Sequence, residues 1–195
     1  SVPNIDQQIG EYYPKSITER ANEAIQKYEL LENRVRRDSL TDLYNRAYME
    51  DYVSERLKQR PDCVFYMIDI DNFKLVNDQL GHLQGDLVLK RIAELLLDIF
   101  GPEPLVSRIG GDEFAVFLED PQSEEEAARK ARQFITRFNQ YNQKGLKLGK
   151  VSCSVGISCA PEDGLDFNTL YAKADQALYH IKNHKKGAFA FYRQL

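Results

Sequence analysis

The apolar positions change rhythm several times along the chain, and each rhythm predicts an element. Ile17, Ala21, Ala24, Tyr28, Leu31 and Val35 recur at alternating steps of four and three, the a/d spacing of a coiled-coil seam. Glu19, Arg20, Glu23, Lys27, Glu29, Glu32 and Arg34 surround that stripe. Two readings stay open for it: a seam that pairs with a second helix, or a single amphipathic helix lying on its own domain. Asp38 to Arg46 breaks the heptads and predicts a turn leading into a helix over 46–59, which Pro61 ends. Residues 63–69, Cys-Val-Phe-Tyr-Met-Ile-Asp, form a nearly continuous apolar run, as a strand buried on both faces does. A short helix over about 72–80 stops at Gly81, and a longer one over about 83–100 presents Leu87, Leu89, Ile92, Leu95, Leu96 and Ile99.

Further along, Leu105–Ile109 and Phe114–Leu118 flank Gly110-Gly111 and predict a hairpin. Ser123 with Glu126 is a capping box for a helix running to about Asn139. Residues 151–159 alternate as a strand, Asp166 caps a helix to about Asn183, and 188–192 is a last strand. The order β-α-α-β-β-α-β-α-β predicts an α+β fold, a sandwich-like central mixed sheet flanked by helices. It assigns 38–195 to one domain and 1–37 to an N-terminal linker helix, with polar residues 1–15 as irregular lead-in.

Composition narrows the function. The 195 residues carry 26 Lys and Arg against 30 Asp and Glu, a net charge of −4. No global basic field is present to hold a nucleic acid. No apolar stretch reaches the roughly 20 residues that span a bilayer. Cys63, Cys153 and Cys159 lie inside apolar segments without CxxC spacing, which predicts buried, reduced thiols and a cytoplasmic setting. Beginning at Ser1 with no signal-peptide pattern, the chain is expected to be a fragment or processed product whose full-length form could be membrane-anchored upstream.

The candidate chemistry is carboxylate chemistry. Asp69 and Asp71 stand where an apolar strand ends, the end at which open α/β sheets commonly bind ligands. Two such oxygens suit a hard divalent cation that keeps waters and substrate phosphates, although Asp is also an ordinary turn residue. Asp112 and Glu113 follow Gly110-Gly111 at the hairpin tip, where nothing structural calls for paired negative charge. If the hairpin lies beside strand 63–69, these acids face Asp69, an arrangement suited to metal-assisted phosphoryl transfer.

Arg108-Ile-Gly-Gly-Asp-Glu-Phe114 resembles the signature of the GGDEF family, the diguanylate cyclases. Further blocks fit the same family in order: Asp38-Ser-Leu-Thr-Asp-Leu-Tyr-Asn-Arg46, Asp69-Ile-Asp-Asn-Phe-Lys74 with Asn77-Asp78, Gly81-His-Leu-Gln-Gly-Asp86, Ser154-Val-Gly-Ile157 and Ala174-Asp-Gln-Ala-Leu-Tyr179. The resemblance implies a fold similar to adenylyl cyclase and polymerase palm domains. It also implies the joining of two GTP molecules into cyclic di-GMP, with release of pyrophosphate, by a homodimer using Mg²⁺ or Mn²⁺. By position, Asp69 and Asp112 would hold the metal through side chains and Ile70 through its carbonyl, with Glu113 as ligand or acid–base group. Asp112 is equally the expected base for the 3′-hydroxyl, and both roles stay open. Lys74 would offset charge on the phosphates, and the Phe73-Lys74 backbone would donate to them. Asn77 and Asp86 would read guanine, with His82 nearby or simply a turn residue. Gly110 and Gly111 would let the nucleotide approach the backbone.

Lys182 and Lys186 fit phosphate-binding positions, or equally a helix end favoured by the dipole. Lys185 stands where the family has glycine and Gly187 follows, a departure in this loop. His180 and His184 have zinc-like spacing without a third ligand. The Arg-x-x-Asp product-inhibition motif of the family is replaced by Gly101-Pro-Glu-Pro104. A GTP sensor without catalysis and a palm-type polymerase are the competing readings; the intact carboxylates oppose the first and the acidic balance the second. An upstream sensory domain is the expected source of control.

Overall fold

A computed structural model describes residues 16–121 and 123–195, so the irregular lead-in expected over 1–15 lies outside the described residues. The chain divides into two units at Arg36/Arg37. In the first, α1 (Ile17–Arg36) opens with a capping box in which Ser16 Oγ accepts from the Glu19 N–H at 3.2 Å and Glu19 Oε2 from the Ser16 N–H at 2.7 Å. The seam residues Ile17, Tyr28 and Leu31 are exposed.

The second unit holds β1 (Tyr44–Asn45), α2 (Arg46–Gln59), β2 (Cys63–Asp71), α3 (Phe73–Leu80), α4 (His82–Phe100), β3 (Leu105–Gly110), β4 (Glu113–Glu119), α5 (Glu124–Tyr141), β5 (Ser152–Ala160), α6 (Phe167–His184) and β6 (Phe189–Phe191). The strands form one mixed sheet in the order β1-β3-β4-β2-β5-β6. β2 lies antiparallel to both neighbours, while the edge pairs β1–β3 and β5–β6 are parallel.

The unbroken apolar run of β2 has a plain cause. Side chains alternate across a strand, and both faces are covered. Val64, Tyr66, Ile68 and Ile70 pack with residues of α4 and α5, while Cys63, Phe65 and Met67 pack with Met49 and Val53 of α2 and Leu170 and Ala174 of α6. Each such large side chain contributes about 1.5–3 kcal/mol by leaving water. Helix α6 lies directly on β5 because position 156 is glycine: a Cβ there would overlap the Ala174 carbonyl and the Leu178 N–H.

Two local features depart from the sequence expectation. The segment read as a turn before α2 includes β1, a two-residue strand whose Tyr44 pairs with Ser107. Between α5 and β5 the chain makes a π-type turn over Asn142–Leu146, whose polar residues gave no period to read. All three cysteines are buried and free, and burial pushes the Cys63 and Cys159 thiols up to about 12. Among the described residues no helix is long and apolar enough to cross a membrane.

Candidate active site

The site lies where β2 runs out of apolar residues. The face of β2 that carries Cys63, Phe65 and Met67 continues with Asp69 and Asp71, because residues two apart share a face. Register places Asp69 directly opposite Glu113 on β4. Asp112 sits in the turn before Glu113, and its carbonyl accepts from the Ile70 N–H at 3.4 Å. Gly111 makes the tight reversal in the left-handed region, at φ 50°. A β-bulge between Arg108 and Gly110 shapes the approach. Three signature carboxylates therefore gather at the end of the central strand.

Arg108 holds this hairpin in place. Its guanidinium donates to the Gly111 carbonyl at 2.7 and 3.0 Å and to the Asp38 carboxylate at 3.1 and 3.2 Å. Asp38 also accepts from the Thr41 N–H and hydroxyl at 2.9 and 2.7 Å. The Asp38–Thr41 turn and the Gly-Gly turn are thus fastened by one side chain.

The electrostatics follow from burial and crowding. Burial raises the Asp69 carboxyl to about 6; Lys182 opposes this, and the charges of Asp112 and Glu113 add to it. Glu113 is also raised, first by burial and then by Asp112 and Asp175, with Lys182 and Arg46 opposing. The Lys182 ammonium lies 2.6 Å from Asp69 Oδ1. These groups face a cavity of about 510 Å³ lined by Asp69, Glu113, Asp175, Tyr179, Lys182 and Lys186 among others, a size within the usual range of small-molecule sites. Among the described residues no three His, Cys, Asp or Glu groups are close enough to hold a metal by themselves. A pair of facing carboxylates fits a hard cation that takes its remaining oxygens from water and phosphate.

The residues selected for guanine and phosphate over 73–86 lie on α3 and α4. Asn77 on α3 and Asp86 on α4 belong to the junction of two helices, and Gly85 is what lets them meet. A Cβ at Gly85 would overlap Asn77 Oδ1 and come within 3.3 Å of the Phe73 ring. His82 is the exposed first residue of α4, and Lys74 is exposed in the first turn of α3. Neither they nor Asn77 and Asp86 line the carboxylate cavity.

Three placements were not legible in the sequence. Asp71, read with Asp69 as a candidate metal pair, is fully buried and accepts from Ser152 and Ser154 instead, so it does not enter the cavity with Asp69. Arg46, exposed at the start of α2, lies over the Tyr171 ring, 4.9 Å to its centre, and its charge acts on Glu113. Asp175 of α6 faces Glu113, and nothing in its local pattern separates it from a solvated helix position. The departure at Lys185 resolves simply: Lys185 has φ −154° and needs no glycine, and the left-handed residue of the loop is Gly187 at φ 73°. His180 and His184 stack on each other, ring centres 4.1 Å apart, at the helix end.

A mixed sheet with a Gly-Gly-Asp-Glu-Phe hairpin beside its central strand defines a GGDEF domain. Residues 35–188 match the family described as diguanylate cyclase, GGDEF domain, and the chain belongs to that family. It is 36% identical over 155 residues to the probable diguanylate cyclase DgcT of Escherichia coli, covering 77% of this chain and 34% of that protein. It is 34% identical over 159 residues to the bifunctional diguanylate cyclase/cyclic di-GMP phosphodiesterase MucR of Pseudomonas aeruginosa, covering 80% of this chain and 23% of that one. The solved GGDEF domain of TpbB from Pseudomonas aeruginosa superposes with a TM-score of 0.72 at 35% identity, over 80% of this chain and 94% of that one. The chain therefore spans about a third and about a quarter of the length of these two curated relatives.

Proposed function

We propose that this domain condenses two GTP molecules into cyclic di-GMP, each of two chains holding one nucleotide. The observation that carries the reading is Asp69 facing Glu113 across the β2–β4 ladder, with Asp112 at the adjoining turn. This register favours Asp69 and Glu113 as the pair that holds Mg²⁺ or Mn²⁺, with the Ile70 carbonyl beside them, and leaves Asp112 as the proton acceptor. A bound divalent ion would neutralise phosphate charge and polarise the α-phosphate.

The chain's own groups do the rest. Asn77 and Asp86 take the guanine edge, the carboxylate accepting from N1–H and N2–H₂, with His82 at the rim. The Phe73 and Lys74 N–H groups opening α3 meet phosphate oxygens, and the Lys74 ammonium offsets charge as pyrophosphate departs. Gly110 and Gly111 leave the backbone open to the nucleotide. Lys182 exchanges Asp69 for a phosphate oxygen as the nucleotide enters, and Lys186 adds a second cation. In the reaction each 3′-oxygen forms a bond to the other nucleotide's α-phosphorus. The α–β P–O bond breaks, pyrophosphate leaves, and the 3′-proton passes to Asp112. Each chain supplies one guanine cleft and one carboxylate set, so the symmetric product requires two sites face to face. The exposed α1 seam supports pairing through a second copy of that helix. A cytoplasmic setting, where GTP is supplied, and control by an upstream sensory domain complete the reading.

Incubation with GTP and Mg²⁺, followed by chromatography, tests it: cyclic di-GMP should form, and ATP alone should give no cyclic product. Binding of GTP without product over a wide range of protein concentrations would favour the non-catalytic sensor.

A further inference from the structure

Asp71 lies two residues beyond Asp69 on the same strand face, yet its surroundings differ completely. Its side chain is fully buried. One oxygen accepts from Ser152 Oγ at 2.6 Å, both accept from Ser154 Oγ at 2.8 and 2.9 Å, and Oδ2 also accepts from the Gly187 N–H at 3.1 Å. Ser154 Oγ lies 3.1 Å from the same N–H. A buried carboxylate is costly unless its lone pairs are met, and here the donors come from the first residues of β5 and from the loop after α6.

That loop carries Lys186. Gly187 is the residue that cannot be replaced freely, being left-handed at φ 73° with Ser152 only 3.2 Å from where a Cβ would stand. At its other end the Lys186 ammonium lies 3.1 Å from Asn72 Oδ1, and the Asn72 amide donates to the Lys150 carbonyl. Asn72 is itself left-handed, φ 60°, at the start of α3. Lys186 is therefore held at its backbone by a buried acceptor and at its tip by a neutral amide oxygen. The tip contact can give way to an anion, while the backbone contact stays.

From this arrangement we infer that Asp71 is a positioning residue for GTP: by anchoring the Gly187 N–H it fixes the α6–β6 loop so that the Lys186 ammonium points into the phosphate end of the site. The inference rests on the phosphate role given to Lys186 above. Lys186 lines the same cavity as Asp69 and Glu113. A lysine is a flexible point charge, so its effectiveness depends on where its backbone is held. Asp71 touches no substrate atom. Its contribution should appear in binding of the phosphates and leave both guanine recognition and the chemical step nearly unchanged.

The test is a double-mutant cycle of Asp71→Ala and Lys186→Ala in the whole chain, read by KM and kcat for GTP and by calorimetry with GTP and with guanosine. Asp71→Ala should raise KM and the Kd for GTP about tenfold, leave kcat within threefold, and leave guanosine affinity unchanged. Adding Lys186→Ala should cost nothing more. Asp71→Asn, which keeps an acceptor oxygen for Gly187, should restore most of the affinity. Hydrogen exchange at the Gly187 amide, measured without nucleotide, should accelerate in Asp71→Ala and recover in Asp71→Asn. Multiplying losses, an equal loss of guanosine affinity, or unchanged exchange would each overturn the inference. If Asp71→Ala does not fold, Gly187→Ala strains the same anchor and should reproduce the GTP defect alone; unchanged GTP affinity there would also overturn it. Failure of the wild-type chain to make cyclic product would sink the proposed function, and the exchange experiment would still decide the anchor.

Discussion

Replacing Gly85 by alanine separates the proposed guanine cleft from the fold that carries it. Gly85 is buried in the first turns of α4, where alanine is intrinsically better than glycine by about 1 kcal/mol. The added methyl, however, falls on Asn77 Oδ1, with Asn77 Cγ at 3.2 Å and Phe73 Cζ at 3.3 Å. Asn77 must leave its rotamer, which costs about 0.5–1.5 kcal/mol, and the bond proposed for it to the guanine edge would be lost, about another 0.5–1.5 kcal/mol. The rotamer cost falls on free and bound protein alike, so the lost bond alone sets the change in affinity, roughly a 2- to 13-fold weaker binding of GTP. Thermal unfolding should shift little, because the helix gain offsets the local displacement. Calorimetric titration with GTP and Mg²⁺ beside a melting curve reads both quantities. The double variant Gly85→Ala with Asn77→Ala should bind no worse than Asn77→Ala alone. A Gly85→Ala protein with wild-type GTP affinity, or one that loses affinity only because it has unfolded, would refute the steric argument.

Other expectations follow from the same geometry. Asp112→Ala should leave the melting temperature within a few degrees, since a turn acid contributes little to the core, while cyclic product formation falls below detection; activity within tenfold of wild type would remove Asp112 from its role. Partial burial would raise the Asp38 carboxyl, but the bonds from Thr41 and the Arg108 guanidinium more than reverse this and hold it below the ordinary carboxylate range. A folded pKa below the unfolded one gives stability that is present above the unfolded value and is lost as pH falls through the folded one. Denaturant unfolding should therefore weaken below about pH 4, and less steeply in Asp38→Asn; identical acid limbs would contradict this. Specific activity should fall on dilution, more steeply after removal of residues 1–36, which lie outside the unit that carries the carboxylates. Activity per molecule that stays constant far below any measurable association would reject a two-chain site.

Much of this architecture was legible because its signals are periodic. The unbroken run 63–69 announced a strand covered on both faces, and Phe65 and Tyr66 do pack into opposite layers. The Gly110-Gly111 turn followed by two acids announced a hairpin tip, and the register then set Glu113 opposite Asp69. Strand β1 is not legible in the sequence because two residues carry no period. The separate fates of Asp69 and Asp71 were also hidden. Both extend the same strand face, and only the arrival of Ser152, Ser154 and Gly187 from distant parts of the chain seals one of them. Arg46 and Asp175 are hidden for the same reason, since each comes to act on Glu113 only through the packing of α2 and α6 against the central strands. The glycine that seemed displaced in the Lys185–Gly187 loop was a question of backbone angle, which composition cannot show.

The most direct measurement is ³¹P spectroscopy of the chain with GTP and Mg²⁺, followed in time beside an Asp112→Ala control. Condensation of two GTP molecules predicts that the triphosphate signals decay while pyrophosphate and a single phosphodiester species grow, with two pyrophosphates released for each cyclic dinucleotide, and that the control spectrum stays unchanged. Bound GTP whose triphosphate signals persist at every protein concentration, or inorganic phosphate in place of pyrophosphate, would contradict it.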